Sequence, residues 1–313
     1  GGEGDDWLQD AGGSDYIDGE AGNDTILAGD GNDEIFGGDG DDWLQGDAGD
    51  DYIEGGAGAN TILAGAGNDT VYGGENSERL EGGDGSDYIE GIAGDDTILG
   101  GSGDDEIFGG SGHNYLQGNT GQDHIYGEAG NDTLEGGDGN DTLSGEEGGD
   151  WLQGDAGDDI LDGGDGDDTL YGGSATDGWY ETGKTNGNDT YIFGRGSGQD
   201  VIQDWDDITG NIDTILLSSD ITPDDIEIQR NEGNLVLSIA GASDKLTVNN
   251  WFLDSSPEWQ VERVQFADGT VWDADIIKQL ALQGTSGNDF ITGYATDDEI
   301  KGFGGSDILY AGA

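Results

Sequence analysis

An aliphatic residue returns at every ninth position of this chain. Counted in nines from Gly1, residues 1–171 form nineteen units without insertion or deletion, and position 8 of each is Leu, Ile or Val, from Leu8, Ile17 and Ile26 to Leu170. The six positions that open each unit follow G-G-x-G-x-D. Position 4 is Gly in every unit but one, where it is Asn76. Position 6 is Asp in sixteen units, the exceptions being Asn60, Glu78 and Asn114. A frame held this long is a repeat architecture and governs every later reading.

Positions 1–6 make a poor strand or helix, because Gly loses too much backbone freedom in either. They make a good turn, since Gly accepts positive φ and leaves carbonyls uncovered. Positions 7–9 are predicted to form a three-residue strand whose middle side chain points inward. One buried aliphatic per unit cannot form a core alone, but stacked units can. If two units make one turn, two parallel sheets face each other across a ladder of position-8 side chains. The expected fold is all-β: a parallel β-roll, a two-sheet β-solenoid with 18 residues per turn. A small, mostly antiparallel β capping domain with one short helix is expected to follow it.

In that geometry residues eighteen apart sit above one another, and position 6 forms two columns. One reads Asp6, Asp24, Asp42, Asn60, Glu78, Asp96, Asn114, Asp132, Asp150, Asp168. The other reads Asp15, Asp33, Asp51, Asp69, Asp87, Asp105, Asp123, Asp141, Asp159. Carboxylates stacked at the strand spacing of roughly 4.8 Å would repel by about 3–4 kcal/mol per pair at an effective dielectric near 20. A cation between them removes that cost. Carboxylates and loop carbonyls are hard oxygen ligands, and calcium accepts irregular coordination more readily than magnesium.

The phrase resembles the RTX nonapeptide, G-G-x-G-x-D-x-U-x with U aliphatic, of secreted bacterial proteins, over residues 1–171 and again near the C-terminus. The resemblance implies a parallel β-roll with calcium between successive loops of one edge. It makes the position-6 Asp and carbonyls of the preceding loop the ligands. It also implies calcium as the cofactor and an extracellular, secreted or cell-surface location.

A larger period lies on the first. Trp7, Trp43, Tyr115 and Trp151 share a 36-residue grid, with Arg79 in the missing slot, while Thr25, Thr61 and Thr97 lie halfway between. One outer face should therefore alternate Trp and Thr rungs, while the other carries Tyr16, Tyr52 and Tyr88 between Glu/Phe rungs. Trp7, Trp43, Tyr115 and Trp151 are candidates for a surface that binds glycans or other copies of the chain. Aromatics that merely cover a narrow roll are the simpler reading. Unit nine, Gly73–Glu81, breaks the pattern with Asn76, Glu78 and Arg79, and reads either as a calcium-poor rung whose guanidinium partly substitutes for the ion or as a decayed repeat with a solvated Arg. His113 and His124 lie outside any zinc spacing and are expected at the surface.

Residues 174–188 leave the frame and are expected to form a loop or linker. Residues 189–282 follow: Asp189 to Ile202 keeps echoes of the repeat, and the stretch beyond reads as ordinary β, with strands at Asp213–Leu217, Ile226–Arg230, Leu235–Ile239, Lys245–Val248 and Val261–Phe266. Turns are expected near Gly233, Gly241 and Gly269, with Asp273 as N-cap of a helix through Leu282. This stretch resembles the haemolysin-type calcium-binding-related domain through Asn188-Asp189-Thr190-Tyr191-Ile192-Phe193-Gly194 and Phe266-Ala267-Asp268-Gly269-Thr270. Asp189 and Asp200 are placed to close the last calcium layers. The frame restarts over residues 283–313 with Asp289, Asp298 and Asp307 at position 6.

Composition narrows the function. A net charge of −63 with 66 glycines would suggest disorder if residue order were ignored. Periodicity argues instead for order conditional on the ion. Nucleic acid and anionic membranes are poor partners for such a charge. There is no Cys, and no apolar run approaches the ~20 residues of a membrane span. Beginning at Gly1 mid-pattern, without Met, the chain is expected to be a piece of a longer protein. No G-x-S-x-G, H-E-x-x-H or P-loop motif is present. Carboxylate pairs recur in every unit, whereas a catalytic dyad should be singular. The expected role is a calcium-binding, non-catalytic module. A surface-binding adhesin module and the non-catalytic tail of a secreted hydrolase or epimerase are the alternatives.

Overall fold

The structure, a computed structural model, describes residues 1–173, 187–205, 210–253, 260–284, 287–294 and 298–311. Among them two sheets of 14 strands each run the length of the molecule. Successive strands alternate between the sheets: Tyr16–Ala21 and Glu34–Asp39 belong to one, Thr25–Asp30 and Trp43–Ala48 to the other. Within a sheet neighbours are parallel and shifted by one 18-residue turn, so Trp43 pairs with both Thr25 and Thr61.

The aliphatic ladder sits between the sheets. Every position-8 side chain from Ile26 to Leu161 is fully buried, while Leu8 and Ile17, at the open first turn, are only partly covered. Each such burial is worth about 1.5–3 kcal/mol.

The strands are longer than the three residues that Gly-poor segments would give. Trp43–Ala48, Thr61–Ala66 and Tyr115–Thr120 each span six. The extension is made of positions 1–3, where glycines pair one turn apart, as Gly38 does with Gly56. Stacking on a neighbour supplies hydrogen bonds that offset the entropy a Gly-rich strand loses. Three-residue strands persist only in places, as at Thr142–Ser144 and Ile160–Asp162.

The loop needs glycine at position 4. From Gly4 to Gly166 these glycines hold φ between 112 and 154°. A methyl group at Gly58 would strike the Gly40 carbonyl of the turn below. Position 2 also takes positive φ, yet Glu20, Asp47, Ile92, Asn119, Glu128, Glu146 and Asp155 occupy it at φ 70–81°.

Beyond residue 187 the two sheets continue. Thr190–Phe193 pairs in parallel with Ile160–Asp162, and Gln199–Ile202 with Thr169–Tyr171. Thr214–Leu217, Lys245–Val248 and Arg263–Gln265 add further parallel rungs. Antiparallel pairing is confined to the end, where Ile226–Asn231, Asn234–Ile239 and Lys245–Val248 form one meander and Arg263–Gln265 pairs with Val271–Asp273. Larger side chains fill the core there, with Tyr191, Phe193, Trp251 and Phe266 buried. Asp273 caps the helix Ala274–Leu280 by accepting the Ile276 N–H. The sequence-predicted strands in this stretch are found, shorter by one or two residues per trimmed end at Thr214–Leu217 and Arg263–Gln265 and longer by one at Ile226–Asn231 and Asn234–Ile239. Of the expected linker, residues 174–186 lie outside the described residues. Near the C-terminus Phe290–Thr292 and Ile308–Tyr310 pair in parallel with the same 18-residue shift.

Candidate metal centre

From Asp24 and Asp33 onward each position-6 Asp of the roll is held by the turn below it. The Asp24 N–H donates to Asp42 Oδ1 at 2.7 Å, Asp87 N–H to Asp105 Oδ1 at 2.9 Å, and Asp132 N–H to Asp150 Oδ1 at 2.8 Å. This bond turns the carboxylate in beneath its own loop, so Asp105, Asp123, Asp141 and Asp159 are each only 1% exposed. The second oxygen is left over. Oδ2 of Asp15, Asp24, Asp33, Asp42, Asp51, Asp69, Asp87, Asp96, Asp105, Asp123, Asp132, Asp141, Asp150, Asp159 and Asp168 is buried and takes no hydrogen bond. An orphaned buried acceptor costs about 1–3 kcal/mol, and more when charged.

The first glycine of the loop keeps room beside that oxygen. A methyl group on Gly37 would lie 2.5 Å from Asp42 Oδ2 and 2.5 Å from the Gly55 carbonyl oxygen of the next turn. One loop therefore brings an unpaired carboxylate oxygen and a carbonyl from its neighbour to a spot free of side chain. Among the described residues no three Asp, Glu, His or Cys side chains form a metal cage. In the repeat loops backbone carbonyls must complete any coordination, which is an all-oxygen donor set suited to a hard cation such as calcium.

The expected ligands occupy these columns. Asp189 and Asp200 extend them, accepting the N–H groups of Asp159 and Asp168 at 3.0 and 3.2 Å. Asp6 lies at the open first turn, its N–H donating to Asp24 Oδ1. In the restarted frame the Asp289 N–H reaches Asp307 Oδ1 at 3.1 Å, while Asp298 Oδ2 accepts the Tyr294 N–H. Asn60 and Asn114 keep the ladder through their Oδ1 atoms. Glu78 is buried with both oxygens unbonded. Arg79 does not compensate it: the guanidinium lies on the outer face, 3.0 Å from Glu81. Strand alternation forces this, because Leu80 points inward and its neighbours must point out.

Burial raises the acids. Desolvation, with smaller repulsion from stacked neighbours, pushes Asp51 and Asp141 to about 7, Asp105 to about 8 and Asp159 to about 9. Glu78 rises to about 9 through burial and its neighbour Asp96. Without a cation the columns are therefore poised between protonation and repulsion.

Two features were not legible as site elements. The variable position 5 forms a second ladder, running opposite to the first. The Asp41 N–H donates to Asn23 Oδ1, Ala59 N–H to Asp41 Oδ1, and Asn131 N–H to His113 Nδ1. The abundance of Asn, Asp and Ser at that position was the available signal. The second feature lies on the outer face that carries Tyr16. Tyr16, Phe36, Tyr52, Tyr72, Tyr88, Phe108 and Tyr126 form an unbroken run with ring centroids 4.9–5.9 Å apart. From Tyr16 to Phe108 positions 7 and 9 contribute alternately, and Tyr126 repeats position 9, so neither column alone reveals it. On the other face Trp7 and Trp43 are exposed and Tyr115 and Trp151 half-buried, with Thr between rungs.

A profile of the RTX calcium-binding nonapeptide repeat matches residues 1–35, 36–71, 72–107, 108–143, 144–178 and 283–313, more than half of the chain. The chain belongs to the RTX calcium-binding nonapeptide repeat family. Residues 234–275 match the haemolysin-type calcium binding protein related domain. The RTX chain is also 32% identical over 114 residues to the iron-regulated protein FrpA of Neisseria meningitidis serogroup C. That match covers 36% of this chain and 10% of FrpA. The crystal structure of the extracellular lipase LipA from Serratia marcescens is similar over 63% of this chain and 39% of that one, at 18% identity and a TM-score of 0.29. This is a calcium-binding RTX module. Among the described residues no helix is long and apolar enough to cross a membrane.

Proposed function

We propose that this module is a calcium-driven folding switch, non-catalytic in itself, within a longer secreted or cell-surface protein. The observation that carries the reading is the double row of buried Asp Oδ2 atoms without hydrogen bonds. Bound calcium supplies positive charge and oxygen coordination between successive loops. The residues proposed to hold it are the position-6 aspartates from Asp6 to Asp168, with Asp189, Asp200, Asp289, Asp298 and Asp307, and loop carbonyls beside them. In the absence of the cation these carboxylates repel, and the chain favours extended conformations suited to export through a narrow channel. With the carboxylates neutralised, position-8 burial favours the roll. Each ordered turn offers its edge to the next, so folding should be steep. Affinities of extracellular modules, about 0.1–1 mM, fit this use. We divide the chain at 1–173 (roll), 174–188 (linker), 189–282 (cap) and 283–313 (second block).

Far-UV circular dichroism during a calcium titration tests the proposal, with magnesium as control. A steep coil-to-β transition in calcium and none in magnesium is the expected result. A complete fold in chelator would sink it.

A second reading, a carbohydrate- or surface-binding module, is favoured by the exposure of Trp7 and Trp43 and by the aromatic run from Tyr16 to Tyr126. It predicts that Trp43→Ala or Tyr72→Ala abolishes binding on a glycan array while calcium-dependent folding survives. Unchanged binding, or none in the parent chain, removes it.

A further inference from the structure

The acidic column does not stop where the nonapeptides stop. The Asp159 N–H donates to Asp189 Oδ1, the Asp189 N–H to Asp213 Oδ1 at 2.8 Å, and the Asp213 N–H to Glu262 Oε2 at 2.9 Å. Asp213 and Glu262 thus extend the ladder into the terminal region, across sequence separations of 24 and 49 residues that no nine-residue frame could flag.

Between these rungs the first-position slot changes character. Leu170 pairs with Ile202, so the register sets Asp204 one turn above Gly172. In the repeats that slot is Gly apart from Asp10, Ala28 and Ala64, and of these Asp10 is exposed. Added bulk there meets the loop's own carboxylate and the next turn's carbonyl, as at Gly127, where a methyl group would lie 2.6 Å from Asp132 Oδ2 and 2.8 Å from the Gly145 oxygen. At Gly172 the nearest groups around the slot are Asp189 Oδ2 and the Tyr191 hydroxyl. At the next turn the slot holds a whole carboxylate.

Asp204 is 2% exposed, and its Oδ2 is buried without a hydrogen bond. Tyr191 is fully buried, and its hydroxyl interacts with Asp204 without a hydrogen bond of good geometry. Asp204 lies within electrostatic reach of Asp213, Asp189, Glu262 and Tyr191. Burial and this surrounding negative charge push its carboxyl well above the ordinary carboxylate range.

We infer that Asp204, Asp213, Asp189, Glu262 and the Tyr191 hydroxyl form a calcium site of a second type, where the nonapeptide roll joins its terminal region. The inference rests on the calcium reading above and adds a site that the repeat pattern does not contain. A nonapeptide loop offers one carboxylate and otherwise carbonyls; this one gathers several carboxylates and a phenol oxygen around a slot that glycine normally leaves open. Calcium accepts such a mixed, irregular oxygen set, and its affinity rises with the number of charged ligands. No cage of three acidic side chains is preformed among the described residues, so the site closes by side-chain rotation as the ion enters. Its greater number of charged ligands should make it bind calcium more tightly than a nonapeptide loop.

The test uses the full chain and calcium alone, with calorimetric titration read beside far-UV circular dichroism. In the parent chain a tight class of about one ion should precede the bulk of the binding. Asp204→Asn should weaken that class by about tenfold, the scale of one lost charged ligand, and move the folding midpoint to higher calcium. Asp42→Asn, in the middle of the roll, should leave the tight class in place. If Asp204→Asn leaves the tight class intact, or folds at unchanged or lower calcium, relief of repulsion is the whole effect and the inference is overturned. If that variant does not fold at any calcium concentration, Tyr191→Phe decides: it keeps the buried ring and removes the hydroxyl. A weakened tight class then supports the site, and an unchanged one overturns it. A parent chain that ignores calcium overturns this inference together with the folding switch, whereas a calcium-folded parent without the tight class overturns this inference alone.

Discussion

Positions 2 and 4 of the loop make the same backbone demand with different tolerance. Both need positive φ, and a methyl group on Gly83 or on Gly121 would meet the carbonyl of the turn below, but position 2 can relax to the φ of 70–81° at which Glu20 and Glu128 carry a Cβ, whereas position 4 holds φ of 112–154°. At Gly121, φ 144°, a methyl group would run into the Gly103 carbonyl. Gly121→Ala should therefore cost about 2 kcal/mol or more, combining left-handed strain with the clash. At Glu128, φ 70°, only the strain applies. Glu128→Gly should be neutral to stabilising, by up to about 1 kcal/mol. Urea unfolding in saturating calcium measures both, and shifts of the same sign and size would refute the distinction. Asn76 shows the limit: it has left the positive-φ region, and its Oδ1 instead accepts the Gly58 N–H. The defect of unit nine is thus a reshaped loop rather than an exchange of calcium for Arg79.

At the scale of the strand and its loop, stability comes from identical rungs in contact. Leu116 is fully buried between the sheets. Leu116→Ala should cost about 2–5 kcal/mol through lost transfer energy and a cavity. Restoring a column has an effect that depends on the ion. Asn114 keeps the ladder bond but replaces a carboxylate between Asp96 and Asp132. Asn114→Asp should lower the calcium needed for folding, because it adds a charged ligand. In calcium-free buffer the same change should destabilise, because it adds a buried like charge. Movement in the same direction under both conditions would contradict the assignment of the column.

For the whole molecule the raised acids set a pH dependence whose sign depends on calcium. Asp51 at about 7, Asp105 at about 8 and Asp159 at about 9 bind protons more tightly in the folded, ion-free roll than in the unfolded chain, where carboxylates titrate near 4. Their stabilisation of the ion-free fold is complete below about pH 4 and is lost as pH rises through about 7 to 9. Calcium-free chain should therefore show more β structure by circular dichroism at pH 5 than at pH 8. With calcium the order reverses, because protons compete for the same oxygens and the calcium midpoint should climb as pH falls. A calcium-free chain equally unfolded at both pH values would show that desolvation does not govern these groups.

The sequence by itself determined the turn length, the inward ladder from Leu8 to Leu170 and the two Asp columns, because a nine-residue period fixes which side chains share a face. It also marked Asp273 as a helix cap and the hairpin turns near Gly233 and Gly269, which depend on local chemistry alone. Tertiary contact decided the rest. Six-residue strands form because glycines that are poor strand formers alone gain partners one turn away. The aromatic run from Tyr16 to Phe108 arises because diagonal neighbours on adjacent rungs come from different positions of the unit, and Tyr126 extends it by stacking on its direct partner Phe108. The two sheets continue through Thr190–Phe193 and Gln199–Ile202 because pairing needs register, not a repeated motif. Asp204, Asp213 and Glu262 meet Asp189 and Tyr191 only once that register is set, since irregular loop lengths hide their common place in the turn.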